Sequence, residues 1–290
     1  MKNIVEIRGI CKTYAGFKLN NISFDIPTGA IVGMIGSNGS GKTSIIKSIL
    51  NLIDIDKGEV KVLGMNNNNT KFINERIGVV FDECNFPDNY NIKILNKIFK
   101  SMYSQWDTQL FSNYVNRFKL DIKQNIGNFS KGMKMKLAIA AALSHCPRLL
   151  ILDEALAGLD PIARDEMIEI IFEYMESGEN SILITSHITT DLEKIADYII
   201  FIDEGEKLWF ENTSKLLDEY GIVRCGPETF EQIESSDILC YRKQDLSWSV
   251  LVNSRSKAEE KYKNIVVDKP TIEEIMMLYV KGVKNEIITN

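Results

Sequence analysis

Eight residues, Gly36-Ser37-Asn38-Gly39-Ser40-Gly41-Lys42-Thr43, restrict what this chain can fold into more than any other part of it. They fit the spacing G-x-x-x-x-G-K-[ST]. Before them, the apolar run at residues 30–35 reads as a buried strand; after them, apolar periodicity over about residues 43–52 reads as a helix. Glycines let the backbone curl so that successive N–H groups face phosphate oxygens, and the helix start adds partial positive charge. Lys42 then reaches the β- and γ-phosphates of a nucleotide, and the Thr43 hydroxyl faces Mg²⁺. A glycine-rich turn can match this spacing by accident, but here the strand before and the helix after are both present. Gly36, Ser37, Asn38, Gly39, Ser40, Gly41, Lys42, Thr43 and the adjacent Ser44 are therefore the candidate phosphate-binding set.

A second signal complements the first. Leu149-Leu150-Ile151-Leu152-Asp153-Glu154 is an apolar strand ending in two carboxylates. Such a strand delivers acids to the edge of an open α/β sheet where ligands bind. Asp153 is placed to hold Mg²⁺, and Glu154 to polarise an attacking water as general base. Strands are also expected at residues 77–81, 181–185 and 198–202, with helices between them, which predicts a mostly parallel α/β sheet. Residues 4–8 and 22–26 alternate apolar with polar side chains, as half-exposed strands do. The four asparagines at 66–69 read as a loop. From about residue 82 to 123 the pattern turns helical and mixed, and its aromatics (Phe86, Phe99, Tyr103, Trp106 and Phe111 among them) read as core and interface side chains; a second helix is expected at about 131–143.

Composition excludes several classes. A formal net charge of −6 argues against wholesale nucleic-acid binding through a basic face. The five cysteines, Cys11, Cys84, Cys146, Cys225 and Cys240, form no CxxC pair, and with two histidines a zinc site is not expected. The odd cysteine count and the absence of a signal peptide suggest a reducing cytoplasm. No stretch approaches the roughly 18 uninterrupted apolar residues of a membrane span, so service to a membrane would require docking on another subunit.

A third element is Phe129-Ser130-Lys131-Gly132-Met133, where Ser130 is a good helix cap. Here the chain resembles the ABC ATPases, whose signature at this place is usually Leu-Ser-Gly-Gly-Gln. Ser130 and Gly132 match; Phe129, Lys131 and Met133 depart. Ala157-Gly158-Leu159-Asp160 resembles the family's D-loop, His187 stands where it has a switch histidine, and Tyr14 where it stacks an aromatic on adenine. The resemblance covers residues 1 to about 215 in family order. It implies a P-loop NTPase cassette of α/β class, with a mostly parallel sheet core, an antiparallel β part and a helical subdomain (about 82–145). It further implies that ATP and Mg²⁺ are bound, that Lys42, Glu154 and His187 serve catalysis, and that Ser130, Lys131 and Gly132 contact a nucleotide held by a second cassette, as a homodimer or heterodimer.

Two departures leave alternatives open. Asp82 stands where the family usually has a glutamine; it is either an acid in a solvated turn or a ligand for Mg²⁺, which accepts carboxylate oxygen. Lys131 is either a surface lysine or a contact to the partner's ATP. The loop Tyr14 is either packing or the adenine platform.

After about residue 215 the texture changes to short strand-like pieces and a closing helix capped at Thr271. Residues 1–215 are thus expected to form the cassette, and 216–290 a small α+β extension that stabilises a dimer or aids solubility. The signature variant resembles the branch whose permeases are separate polypeptides, including exporters of antimicrobial and cytolytic peptides such as phenol-soluble modulins in low-GC Gram-positive bacteria. That likeness implies transmembrane permease subunits as partners, peptide or amphipathic cargo, and a peripheral position on the cytoplasmic face of the cell membrane. Phe81, Phe86, Pro87 and Tyr90 suit a docking groove for a permease helix, or a place in the core. The rival readings are a soluble ABC ATPase acting on ribosome or DNA, and an ATPase gated by a ligand of the extension.

Overall fold

The computed structural model describes residues 2–83, 85–244, 247–262 and 265–284. Met1, Cys84 and residues 245, 246, 263, 264 and 285–290 of the expected extension lie outside them. The chain divides into two compact units, Met1–Ile188 with Ile200–Phe210, and Thr189–Ile199 with Glu211–Asn290.

In the first unit, β1 (Asn3–Tyr14) and β2 (Phe17–Pro27) form a long antiparallel hairpin. Val5, Ile7 and Ile10 on β1 and Leu19, Ile22, Phe24 and Ile26 on β2 are buried; the period of two holds from Val5 to Ile7 and from Ile22 to Ile26 and is broken by register shifts on either side of Ile10. Gly16 turns the hairpin with φ +84°, which sets Tyr14 opposite Phe17. β4 (Lys57–Val62) and β5 (Met65–Asn66) extend this sheet in the order β2-β1-β4-β5.

The second sheet carries the site. Its strands are β3 (Ile31–Ile35), β6 (Ile77–Val80), β7 (Leu149–Asp153), β8 (Ser181–Thr185), β9 (Tyr198–Asp203) and β10 (Glu206–Asn212), in the order β10-β9-β3-β8-β7-β6. β3, β8, β7 and β6 pair in parallel. β3, β7 and β8 are buried along their whole length, which is why Ile31–Ile35 and Leu149–Leu152 read as apolar runs. Because β3 and β7 both neighbour β8, the loop after β3 and the acids ending β7 emerge at one edge.

α1 (Lys42–Ile49) follows β3. α2 (Thr70–Asn74) and β10 were not anticipated from sequence. The asparagine tract is not simply a loop: Asn66 pairs in β5, the Asn67 side chain donates to Ser48 O (2.6 Å), and Asn69 precedes α2. A helical part holds α3 (Ile92–Met102), α4 (Thr108–Arg117) and α5 (Lys131–Leu143), capped by Asn91, Asp107 and Ser130. Phe111 and Phe118 are buried there, and Trp106 packs 5.1 Å from Phe99 and 5.0 Å from Phe111 between ring centroids. α6 (Pro161–Met175) starts on Asp160, whose carboxylate accepts from Ile162 N and Ala163 N.

The second unit takes in α7 (Thr189–Ile195), from within residues 1–215. Its sheet is antiparallel, in the order β14-β11-β13-β12-β15, built from β11 (Gly221–Cys225), β12 (Ile238–Gln244), β13 (Ser247–Val252), β14 (Val267–Asp268) and β15 (Val283–Lys284). α8 (Pro227–Phe230) and α9 (Arg255–Lys261) accompany a core of Val223, Val250, Val252, Ala258 and Val267. α10 (Ile272–Lys281) lies against β12, β13, β15 and α7, burying Ile272, Ile275 and Leu278. Among the described residues no helix is long and apolar enough to cross a membrane.

Candidate functional site

The glycine loop leaves β3 and enters α1 through Gly39 and Gly41, at φ +81° and +112°, where side-chain-bearing residues are strained. A Cβ on Gly41 would stand 2.5 Å from Leu19 Cδ2 and 3.0 Å from Phe17 Cζ, so the position also lacks room. Gly41 caps α1 without any side-chain hydrogen bond, leaving the first-turn donors without the usual partner. Lys42 is buried, and its Nζ donates to Gly36 O (2.8 Å) and Ser37 O (3.1 Å). Burial pushes its pKa down, against the raising influence of Glu154 and Asp153. The turn between β9 and β10 braces the loop from behind: Gly205 N donates to Ser40 O (3.0 Å), and Ser37 Oγ donates to Asp203 Oδ1 (3.3 Å).

The acids are fixed by hydroxyls. Asp153 is buried beside Thr185, its register partner on β8. Thr185 Oγ1 donates to Asp153 Oδ1 (2.7 Å) and accepts from Glu154 N (2.9 Å). Thr43 Oγ1 donates to Asp153 Oδ2 (3.0 Å), so each carboxylate oxygen has a hydroxyl and the buried charge is compensated. Glu154 sits at φ +54°, in the left-handed region uncommon for a side-chain-bearing residue. Its Oε2 accepts from His187 Nδ1 at 2.7 Å, while the imidazole remains half exposed.

Part of this set lines a cavity of about 680 Å³: Asn38, Gly39, Gly41, Lys42, Thr43 and Ser44 with Asp153, Glu154, Tyr14, Gly16 and Phe17. Gly36, Ser37, Ser40 and His187 are not in its lining. Asp82 also borders it, yet among the described residues no three acidic, histidine or cysteine side chains gather as a metal cluster. Thr43 and Asp153 offer a paired hydroxyl and carboxylate, hard oxygen donors that suit Mg²⁺. The Tyr14 ring is 6.1 Å from that of Phe17, with Lys12 Nζ 5.8 Å from its centroid.

Ser130, Lys131 and Gly132 do not line this cavity. Ser130 Oγ accepts from Met133 N (3.2 Å) at the start of α5. Lys131 lies along Gly158, its Nζ 3.7 Å from where a Cβ would be, and Gly132 faces Leu159 Cδ2. A second cavity of about 390 Å³ is lined by Leu52, Phe81, Phe86, Phe99, Tyr103 and His145, among others; Pro87 and Tyr90 are not in its wall. His145 stacks on Tyr103 (4.2 Å, 17°) and its Nε2 donates to Ile77 O (3.1 Å); burial lowers its pKa.

Sequence reasoning missed Thr185, Phe17 and the Asp203–Gly205 turn. Thr185 carried a signal, a lone hydroxyl ending a buried strand, and Phe17 mirrors Tyr14 across a glycine turn. Nothing local marks Asp203 as a partner of Ser37.

Comparison with known proteins places this arrangement. The ABC transporter family profile matches residues 19–157. The bacitracin transport ATP-binding protein BcrA of Bacillus licheniformis is 32% identical over 76% of this chain and 74% of its own length. The lantibiotic transport ATP-binding protein SrtF of Streptococcus pyogenes is 32% identical over 83% of this chain and 100% of its own. The Nod factor export ATP-binding protein I of Rhizobium leguminosarum bv. viciae is 30% identical over 74% of this chain and 71% of its own. Among solved structures, an ATP-binding subunit of an ABC transporter superposes with a TM-score of 0.68 at 22% identity, covering 73% of this chain and 91% of that one. A cassette solved as a dimer in a post-hydrolysis state with ADP and phosphate gives 0.65 at 20% identity, covering 72% and 98%. With its glycine loop, acid strand and histidine on one sheet edge, this chain belongs to the ATP-binding subunits of ABC transporters, a family of ATPases.

Proposed function

We propose that this chain hydrolyses ATP on the cytoplasmic face of a membrane and powers separate permease subunits that export peptides or other amphipathic molecules. The observation that carries the hydrolytic reading is the 2.7 Å contact of His187 Nδ1 with Glu154 Oε2 beside Lys42, Thr43 and Asp153. The cargo class rests on the relatives, named for bacitracin and lantibiotic transport.

Tyr14, with Phe17 beside it, takes the adenine. The loop from Gly36 to Ser44 surrounds the phosphates, and Lys42 exchanges its loop carbonyls for their oxygens. Thr43 and Asp153, with Asp82 at the cavity rim, would hold Mg²⁺, which neutralises charge on the β- and γ-phosphates when bound. Glu154 accepts the proton of the attacking water, and His187 holds that carboxylate in place through Nδ1–H. Ser130, Lys131 and Gly132 face the nucleotide of a second cassette, which agrees with their position outside this chain's own cavity.

Glu154→Gln tests the assignment. The variant should bind ATP, hydrolyse it about 10²–10⁴-fold more slowly, and accumulate as an ATP-bound dimer on size exclusion. Turnover at the wild-type rate would sink the assignment of Glu154.

A further inference from the structure

β1 outruns one of its two neighbours. Its ladder with β4 ends at the pair Cys11 and Lys57, whereas its pairing with β2 continues to Tyr14 and Phe17. The hairpin tip that carries Tyr14 therefore has a single ladder partner, and a two-stranded ribbon on its own is only marginally stable in water. Asp56, the residue just before β4, stands in for the missing strand. Its backbone N–H donates to Cys11 O (2.8 Å), and its Oδ2 accepts from the backbone N–H of Thr13 (2.7 Å). Its Oδ1 faces Lys12 Nζ at 3.6 Å. The Thr13 hydrogen bond, with Lys12 adding to it, holds the Asp56 carboxyl below the usual carboxylate range.

Lys12 and Tyr14 stand two residues apart on β1 and so on one side of the ribbon. The ammonium lies 5.8 Å from the centroid of the Tyr14 ring, within range of attraction to its face. Asp56 thus reaches Tyr14 twice, through the backbone one residue before it and through a cation at its ring. The two routes are unequal. An exposed ion pair contributes little, whereas the hydrogen bond to Thr13 fixes main chain, so the backbone anchor is the larger. Neither Lys12 nor Asp56 lines the cavity beside the glycine loop, where Tyr14 forms part of the wall. Both would act on a nucleotide through the ring alone.

We infer that Asp56 is a positioning residue for nucleotide binding: by holding the backbone at Thr13 and the ammonium of Lys12, it sets the Tyr14 ring against the base. This rests on the reading of Tyr14 as the adenine platform.

Titration calorimetry on the full-length chain tests it with two probes: ATP, and inorganic tripolyphosphate, which has the phosphates but no base. Asp56→Ala should raise the Kd for ATP about five-fold and leave that for tripolyphosphate unchanged, which a general loosening of the site would not do. Asp56→Asn keeps an acceptor for Thr13 N but loses the ion pair, and should weaken ATP by about two-fold. In a Tyr14→Ala background, Asp56→Ala should weaken ATP no further. Wild-type ATP affinity in Asp56→Ala, equal losses for the two probes, or losses that multiply in the double variant would overturn the inference. Should Asp56→Ala not fold, Asp56→Asn is carried through the same cycle, and the lack of any ATP-specific loss there overturns it equally. If Tyr14→Ala alone leaves the Kd for ATP unchanged, the reading of Tyr14 fails first, and that outcome is separate from any effect of Asp56.

Discussion

α1 begins at Gly41 with no side-chain oxygen over its first turn, whereas α10 begins under a reciprocal capping box with Glu193 on a further donor. Both helices face the same physical demand, since the first N–H groups of any helix lack internal partners. α10 answers it permanently, with groups of its own unit. α1 leaves it unanswered and adds two further costs, left-handed backbone at Gly41 and a desolvated lysine at the positive end of the helix. A helix start that accumulates such costs is organised for an anion from outside. α5 lies between the two, with Ser130 reaching Met133 N at 3.2 Å.

Substitutions at the two starts should separate binding from stability. The largest effect belongs to Lys42→Ala: ATP hydrolysis should fall by roughly 10² or more. Its melting temperature should drop by no more than about 4 °C, because a buried charge is removed along with two hydrogen bonds. Gly41→Ala comes next. The added methyl meets Leu19 and Phe17 at a left-handed φ, so stability should fall by about 1–3 kcal/mol, and ATP affinity, read by titration calorimetry, by about ten-fold. Thr271→Ala should be the mildest, costing about 1 kcal/mol in denaturant unfolding with ATP affinity unchanged. If Thr271→Ala weakened ATP binding as much as Gly41→Ala, the contrast between the two helix starts would be lost.

What could be read in advance follows from how each feature is encoded. Gly36 to Thr43 and Leu149 to Glu154 are contiguous, so spacing alone identifies them, and apolar runs announce β3 and β7. Thr185 was not legible as the clamp on Asp153 and Glu154, because that role depends on β8 lying between β3 and β7. The Asp203–Gly205 brace likewise depends on where a turn more than 160 residues downstream comes to rest behind Ser37. β10 escaped notice because its residues are all partly or fully exposed, with no buried side to create an alternating pattern. The capping role of Thr271 was visible as a local motif; the bond from Ile272 to Glu193 was not, since its partners are 79 residues apart.

The two hydrogen bonds from Lys42 to Gly36 and Ser37 have one more consequence. They make the ammonium part of the loop's own curvature, a rivet of charge through which the backbone closes on itself. Lys42→Arg would keep the charge but bring a wider, planar donor, so the two carbonyls would have to spread to meet it.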